Sequence, residues 1–172
     1  MNRYDFLSQL AGRAKRSKVW LWLLNIVLGR VIPFNRPHGF RLQMIGDHVV
    51  RAMAENRKSN QNHLKGIHAC AIATVAEFSA GFLLLSSLDP RRYRLIMSKI
   101  DIDYLYQAKE TIVSESSLTP ETLSTDIIDP LRTEDSILIT IESNVFDISG
   151  NEIARCYTTW QIKRWDRVRT QL

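Results

Sequence analysis

Hydrophobic positions in the first third of the chain follow a helical period and then an alternating one. Residues 3–32 carry apolar side chains at helical spacing and predict one or two helices, which end before Pro33 and Pro37 because proline supplies no backbone donor. Apolar and polar positions largely alternate over residues 40–45, and a second such run covers residues 49–54 after a Gly-Asp turn. This pattern predicts a β-hairpin.

The next segment is apolar on nearly every side. Residues 66–85 follow a polar loop and predict a helix that is enclosed by other structure. Glu77 is the one acidic residue in this segment. A carboxylate in such surroundings loses hydration, so it must find partners, take up a raised pKa, or line a pocket that uses it. We therefore interpret this segment as an active-site helix.

The second half of the chain is predicted to consist mainly of β-strands. Alternating apolar positions predict four strands, at about 94–106, 110–117, 136–147 and 152–164. Ser149-Gly150-Asn151 is a hairpin-type turn between the last two. Residues 118–133 contain two prolines and no clear period, so we predict a loop with at most a short helical turn. The order of elements indicates an antiparallel sheet around a single helix.

Asn62, His68 and Glu77 carry a resemblance to a known family. The chain resembles the hotdog-fold thioesterases, in the branch of the phenylacetate-pathway thioesterases and related DUF4442-like domains of unknown function. In that branch five residues separate an Asn from a His-Gly-Gly at the start of the central helix, and an Asp or Glu follows nine residues after the His. This chain has those spacings, but Ala69-Cys70 replaces both glycines.

The resemblance implies an α+β hotdog fold, with an N-terminal helical extension at residues 1–37 and a thioesterase-like domain at 38–172. It also implies hydrolysis of an acyl thioester. The thioester oxygen would face the N–H of Ala69 at the positive end of the helix, and Glu77 would act as base or nucleophile. Asn62 would position water or substrate, and His68 would orient the turn.

Helix geometry adds an independent constraint. Nine residues at about 100° each put His68 and Glu77 on opposite faces, roughly 13 Å apart along the axis. One chain cannot bring both side chains to one carbonyl, but a two-fold dimer can place the helix start of one protomer against Glu77 of its partner. The resemblance implies the same arrangement, so we expect a homodimer or a dimer of dimers.

The charge of the chain bears on its partners. A length of 172 residues suits one domain, and the net charge is +5, with basic residues grouped near both ends and in the middle. A polyanionic partner is plausible, and acyl-CoA or an acyl carrier thioester fits the predicted reaction. Gly66 of the predicted helix start and three arginines beyond the helix, Arg91, Arg92 and Arg94, are the candidate substrate-binding residues.

Other functions stay open to different degrees. A non-catalytic acyl-CoA or acyl-carrier binding module would keep the pocket and the basic rim without turnover. A hotdog dehydratase would need a His motif that is missing here. Nucleic-acid binding is not expected, because the basic clusters lack interleaved aromatic residues. Four scattered histidines and no Cys pair at ligand spacing predict no metal, and we expect no cofactor.

The cysteines and the N-terminus bear on location. Cys70 and Cys156 suit reduced thiols in the cytoplasm, and Cys70 is expected to be an inert thiol rather than a nucleophile. The apolar run over 19–24 is too short to span a bilayer. Trp20 and Trp22 beside a basic cluster leave open a peripheral contact, with the N-terminal helix lying in a membrane interface.

Overall fold

The structure is a computed structural model that describes residues 3–168. Arg169, one of the basic residues grouped near the C-terminal end of the sequence, lies outside the described residues. Its α-helices are α1 (Arg3–Ala14), α2 (Lys18–Val31), α3 (Asn35–His38), α4 (Ala69–Ser87), α5 (Pro120–Thr122) and α6 (Pro130–Thr133). Its strands are β1 (Arg41–Ile45), β2 (Val49–Ala54), β3 (Tyr93–Tyr104), β4 (Ile112–Ser117), β5 (Ser136–Asp147) and β6 (Glu152–Arg164). The predicted hairpin and all four later strands are present.

The six strands form one antiparallel sheet in the order β1-β2-β4-β5-β6-β3. β1 and β3 are therefore the two edges. The chain leaves β2, passes through α4, and enters the sheet again at the far edge as β3. This path carries α4 across the sheet, and α4 contacts strands from β2 to β6.

Small residues of the sheet face α4 and let the helix approach closely. Ser79 of α4 lies fully buried, and its hydroxyl is 2.7 Å from the hydroxyls of both Ser114 and Ser116 on β4. The hydroxyl of Ser116 in turn lies 2.6 Å from that of Ser143 on β5. This network satisfies the buried hydroxyls. The sheet around a single apolar helix confirms the predicted α+β hotdog fold.

The two N-terminal helices pack on the same core as the sheet. Leu10 of α1 and Leu24 and Leu28 of α2 are buried. Asn25 of α2 binds the edge strand, since its amide donates to Leu42 O at 2.9 Å and its Oδ1 accepts from Leu42 N–H at 2.7 Å. The proposed boundary between residues 37 and 38 remains a prediction.

One helix among the described residues, α4, is long and apolar enough to cross a membrane by length and composition alone, and 56% of that segment is buried inside the domain. Its apolar character is explained by its place in the core.

Residues 118–133 differ from the predicted loop. They form α5, a π-helical turn (Leu123–Ile128) and α6, with Pro120 and Pro130 in the first turns of the two short α-helices. Proline is tolerated there because its missing N–H has no partner in the helix. Thr119 caps this stretch, since its Oγ1 accepts from Thr122 N–H at 3.1 Å. The prolines start helical turns here, so this stretch holds more helix than the short turn that the sequence predicted.

Candidate active site

The start of α4 presents a free hydrogen-bond donor. His68 is the N-cap residue, and its Nδ1 accepts from Cys70 N–H at 3.1 Å. The N–H groups of Ala71 and Ile72 donate to His68 O. The N–H of Ala69 has no acceptor among the described residues, and Ala69 is exposed. The positive end of the helix therefore carries a donor that is available to a ligand.

The loop before α4 is held by Asn62. Its Oδ1 accepts from the N–H groups of Leu64 at 2.9 Å and Gly66 at 3.2 Å, so this oxygen is used within the loop. Gly66 is buried, and a Cβ there would lie 3.0 Å from Ala108 O. Close packing thus favours glycine at this position. The predicted contacts of Asn62 and Gly66 with substrate stay predictions.

Glu77 lies in the middle of α4 and is half-buried. Its carboxylate makes no hydrogen bond or ion pair with any described residue, and burial raises its pKa above the ordinary value of 4.5. Gly81, one turn later, leaves room for the Trp160 ring of β6, because a Cβ at Gly81 would lie 2.7 Å from that ring and 3.6 Å from Glu77 Oε1. Glu77 thus faces the β6 side of the helix.

The pKa of the Cys156 thiol is a second indication of where Glu77 lies. Burial, with a further contribution from the Glu77 charge, raises the pKa of the Cys156 thiol on β6 to about 12. Cys156 pairs with Ile102 of β3, so Glu77 lies toward the β3 edge of the sheet.

The face of α4 around Glu77 is the least covered part of the helix. Flanking positions on this face are partly or fully exposed, although the remaining central positions of the helix are buried. Glu77 and the exposed or partly exposed positions beside it form what we call the uncovered stripe: Cys70, Ala73, Thr74, Glu77 and Gly81. Four of its five side chains are small. A small-residue stripe beside an unpaired sheet edge leaves room for another helix.

The structure does not bring the three motif residues together within one chain. Ala69 and Glu77 are eight residues apart on one helix, roughly 12 Å along its axis. His68 and Asn62 are used in capping and in the loop. A site that combines Ala69 with Glu77 needs a second protomer.

Tyr104 is a residue near the helix start that the sequence analysis did not assign to the site. Its hydroxyl donates to Ala69 O at 3.1 Å, and burial raises the pKa of its phenol. Alternation along β3 places it on the helix side of the sheet, which was the available signal. Tyr104 thus ties the β3 edge to the start of α4.

The two cysteines are free, with Cys70 exposed and Cys156 buried. Cys70 lies on the uncovered stripe, two turns before Glu77. The His68 ring contacts its backbone N–H rather than supplying a base to its sulfur.

The three arginines lie beyond the other end of α4, about 27 Å along the helix from Ala69. Arg91 pairs with Asp89 and Asp5, and the Arg92 guanidinium lies 5.6 Å from the centre of the Tyr93 ring. Arg94 donates to Gln161 Oε1 at 3.2 Å, and its Nε is buried without a hydrogen-bond partner in the described part of the chain. Their binding of substrate stays a prediction.

A cavity of about 840 Å³ lies at this same end of α4, between α1, α2 and the β1–β2 turn. Leu7, Leu24, Leu28 and Phe82 contribute to its apolar lining, and none of the predicted catalytic residues lines it. Within residues 3–168, no group of three or more His, Cys, Asp or Glu side chains is placed to hold a metal ion.

Comparison with solved structures supports the fold. The chain is similar to a protein of unknown function from Pseudomonas aeruginosa that is named a probable thioesterase, with 23% identity, a TM-score of 0.75, and coverage of 81% of this chain and 93% of that one. A thioesterase from Haemophilus influenzae has 9% identity, a TM-score of 0.67, and coverage of 84% and 90%. A mutant form of a thioesterase enzyme from Staphylococcus aureus has 10% identity, a TM-score of 0.62, and coverage of 76% and 98%.

At these identities the similarity shows the fold alone. No curated protein matched the chain at a significant level. The family model of a domain of unknown function, DUF4442, matches residues 21–162, from within α2 to near the end of β6. The hotdog topology and this match together identify the chain as a member of the DUF4442 family.

Proposed function

We propose that this chain is an acyl-CoA thioesterase that works as a homodimer, with each active site built from two protomers. The observation that carries the proposal is Glu77, a half-buried carboxylate with a raised pKa and no partner in the described part of its own chain. An unpaired, half-buried carboxylate with a raised pKa is typical of a catalytic residue. The thioesterase names of the structural relatives support the same reaction class.

The free edge at β3 supports the form of the dimer. A two-fold axis that pairs the β3 edges of two protomers would set their α4 helices side by side and antiparallel. An axis passing near Ala73 would then place Glu77 of one protomer opposite Ala69 of the other, since these residues lie four positions on either side of Ala73. The small side chains of the uncovered stripe permit that approach.

The proposed reaction uses the N–H of Ala69 and the carboxylate of Glu77. The thioester oxygen accepts a hydrogen bond from Ala69 N–H, which stabilises the negative charge that develops on it. The Glu77 carboxylate of the other protomer takes a proton from water, and the hydroxide attacks the carbonyl carbon. The tetrahedral intermediate expels the thiolate, which takes the proton from Glu77, so the carboxylate is restored and the products are a carboxylic acid and a free thiol.

A direct attack by Glu77, with an anhydride intermediate that water then hydrolyses, gives the same products. His68 acts in this scheme by shaping the first turn of the helix. Arg91, Arg92 and Arg94 are the proposed contacts for the phosphates of coenzyme A.

The alternative is an acyl-CoA or acyl-carrier binding module without turnover. The use of Asn62 Oδ1 within its own loop favours this reading, because that oxygen is not available to position water. The two functions differ in turnover and share saturable binding.

The test is hydrolysis of a series of acyl-CoA thioesters by the parent protein and by Glu77→Gln. We expect the variant to lose about 10²–10⁴-fold in kcat, the range for loss of a general base. Glu142→Gln is the matched control, since Glu142 is an exposed carboxylate on the outer face of β5. Saturable binding by the parent without turnover would favour the binding module, and equal rates for parent and Glu77→Gln would exclude Glu77 as base.

A further inference from the structure

The outer face of α2 is apolar although it faces away from the domain. Leu24 and Leu28 are buried against the core, whereas Val19 and Trp22 on the other side are 67% and 62% exposed. Asn25, the single uncharged polar side chain of the helix, faces inward and binds Leu42 of β1. A surface helix usually has polar residues outside and apolar ones inside. α2 departs from that pattern at its outer face.

The N-terminal region also carries the positive charge of the whole chain. Residues 1–38 contain seven basic and one acidic side chain, a net charge of +6, although the chain as a whole has +5. Residues 39–172 therefore have a net charge of −1. The net positive charge therefore belongs to the segment that holds α1 and α2, because the 16 basic residues of 39–172 are offset by 17 acidic ones.

Most of these cations have no acidic partner within residues 3–168. Lys15 pairs with Asp47, and the guanidinium of Arg13 lies 4.7 Å from the centre of the Trp20 ring. The remaining cations of α1 to α3 with described side chains make no ion pair: Arg16, Lys18, Arg30 and Arg36. An apolar face with unpaired cations around it is complementary to a surface that is anionic outside and apolar beneath.

We propose that the outer face of α2 docks on an anionic lipid bilayer. α2 is about 21 Å long, shorter than the hydrocarbon core of a bilayer, so it would lie in the interface rather than cross it. Trp22 and Val19 would enter the boundary of headgroups and acyl chains, and Arg16 and Lys18 would meet the lipid phosphates. A second copy of the chain fits this face poorly, because two regions of +6 would repel each other.

The test is co-sedimentation with vesicles of phosphatidylcholine alone and of phosphatidylcholine mixed with phosphatidylglycerol. We expect binding to the anionic vesicles that weakens with added salt, and little binding to the neutral ones. Trp22→Ser and Lys18→Glu should each weaken binding about tenfold. Leu138→Ser and Lys109→Glu are the matched controls, since Leu138 is 65% exposed on the outer sheet face and Lys109 lies in an exposed loop.

Three results would overturn the proposal. The first is no binding to anionic vesicles by the parent protein. The second is an equal loss of vesicle binding in the two control variants, which would mean that binding depends on general charge or hydrophobicity and not on the outer face of α2. The third is a change in oligomeric state in Trp22→Ser, measured by analytical ultracentrifugation without lipid, which would make this face a contact between protein chains.

Discussion

At the scale of single residues, the first turn of α4 allows a sharp test of the oxyanion role of Ala69. Ala69→Pro removes the N–H of the first helical position, where proline is well tolerated, and puts a ring carbon in place of the hydrogen. His68 has φ −66° and ψ 141°, an extended backbone that suits the residue before a proline. We expect kcat to fall about 10²–10³-fold, the cost of one lost oxyanion donor, with the thermal midpoint nearly unchanged.

An active Ala69→Pro enzyme would show that the substrate carbonyl does not use this N–H. A large fall in the thermal midpoint would instead show that the first turn needs the N–H for folding. Circular dichroism and acyl-CoA turnover together distinguish the two results.

The raised pKa of Glu77 has a consequence for stability. The folded protein binds the Glu77 proton more tightly than the unfolded chain does, so the free energy of unfolding falls as the pH rises from 4.5 through the raised pKa. Glu77→Gln removes this titration. We expect the variant to be more stable than the parent at pH 7, by about 0.5–2 kcal/mol, and the difference to shrink as the pH falls toward 4.5.

Urea unfolding at a fixed protein concentration from pH 4 to 8 measures that difference. A parent that is more stable than Glu77→Gln at neutral pH would contradict the account, because it would mean that the ionised carboxylate has a stabilising partner.

At the scale of elements, the contact of α4 with β6 depends on Gly81. Alanine is the better helix former by about 1 kcal/mol, but a Cβ at this position would lie 2.7 Å from the Trp160 ring. Overpacking of this kind costs about 1–3 kcal/mol, so we expect Gly81→Ala to lower the free energy of unfolding by about 1 kcal/mol. Gly12→Ala in α1, where an added Cβ would meet nothing within 4 Å outside the backbone of its own helix, should be neutral or stabilising.

A Trp160→Phe background lacks the ring atoms that approach Gly81, so it tests whether contact with this ring causes the loss of stability in Gly81→Ala. The penalty of Gly81→Ala should disappear there. An equal penalty in both backgrounds would place its origin elsewhere in the helix.

Periodicity predicted most of these elements because the strands alternate and the central helix is long. The turn at Gly150, which has φ +87°, was also visible in the sequence. Residues 118–133 were missed because Pro120 and Pro130 start helical turns there. The direction of Glu77 could not be predicted from the period, since α4 is apolar on nearly all sides and the covering strands alone decide which face stays open.

For the candidate site, too, the sequence predicted some residues and only the structure revealed others. Glu77 stood out in the sequence as the one acidic residue of an apolar segment, and the resemblance supplied Asn62, His68 and Ala69. The structure adds that His68 caps the helix and Asn62 holds the loop. The bond from Tyr104 to Ala69 O depends on how β3 returns to the sheet, which no local pattern reveals. The three arginines were chosen for their charge, and their distance from Ala69 follows from the length of α4.

At the scale of the whole molecule, the proposed mechanism requires two chains that share one active site. Glu77 and Ala69 of the same α4 are too far apart to act on one carbonyl, and the open edge at β3 lies beside the uncovered stripe. In the proposed mechanism, the two groups therefore act across a dimer.

The most direct test mixes two inactive variants. Glu77→Gln and Ala69→Pro homodimers each lack one group in both sites, but a heterodimer of the two has one site with both groups intact. After exchange of subunits, we predict recovery of about a quarter of the parent acyl-CoA turnover, because half of the dimers are mixed and each has one working site. Turnover that stays at the average of the two separate variants would contradict a site shared between protomers.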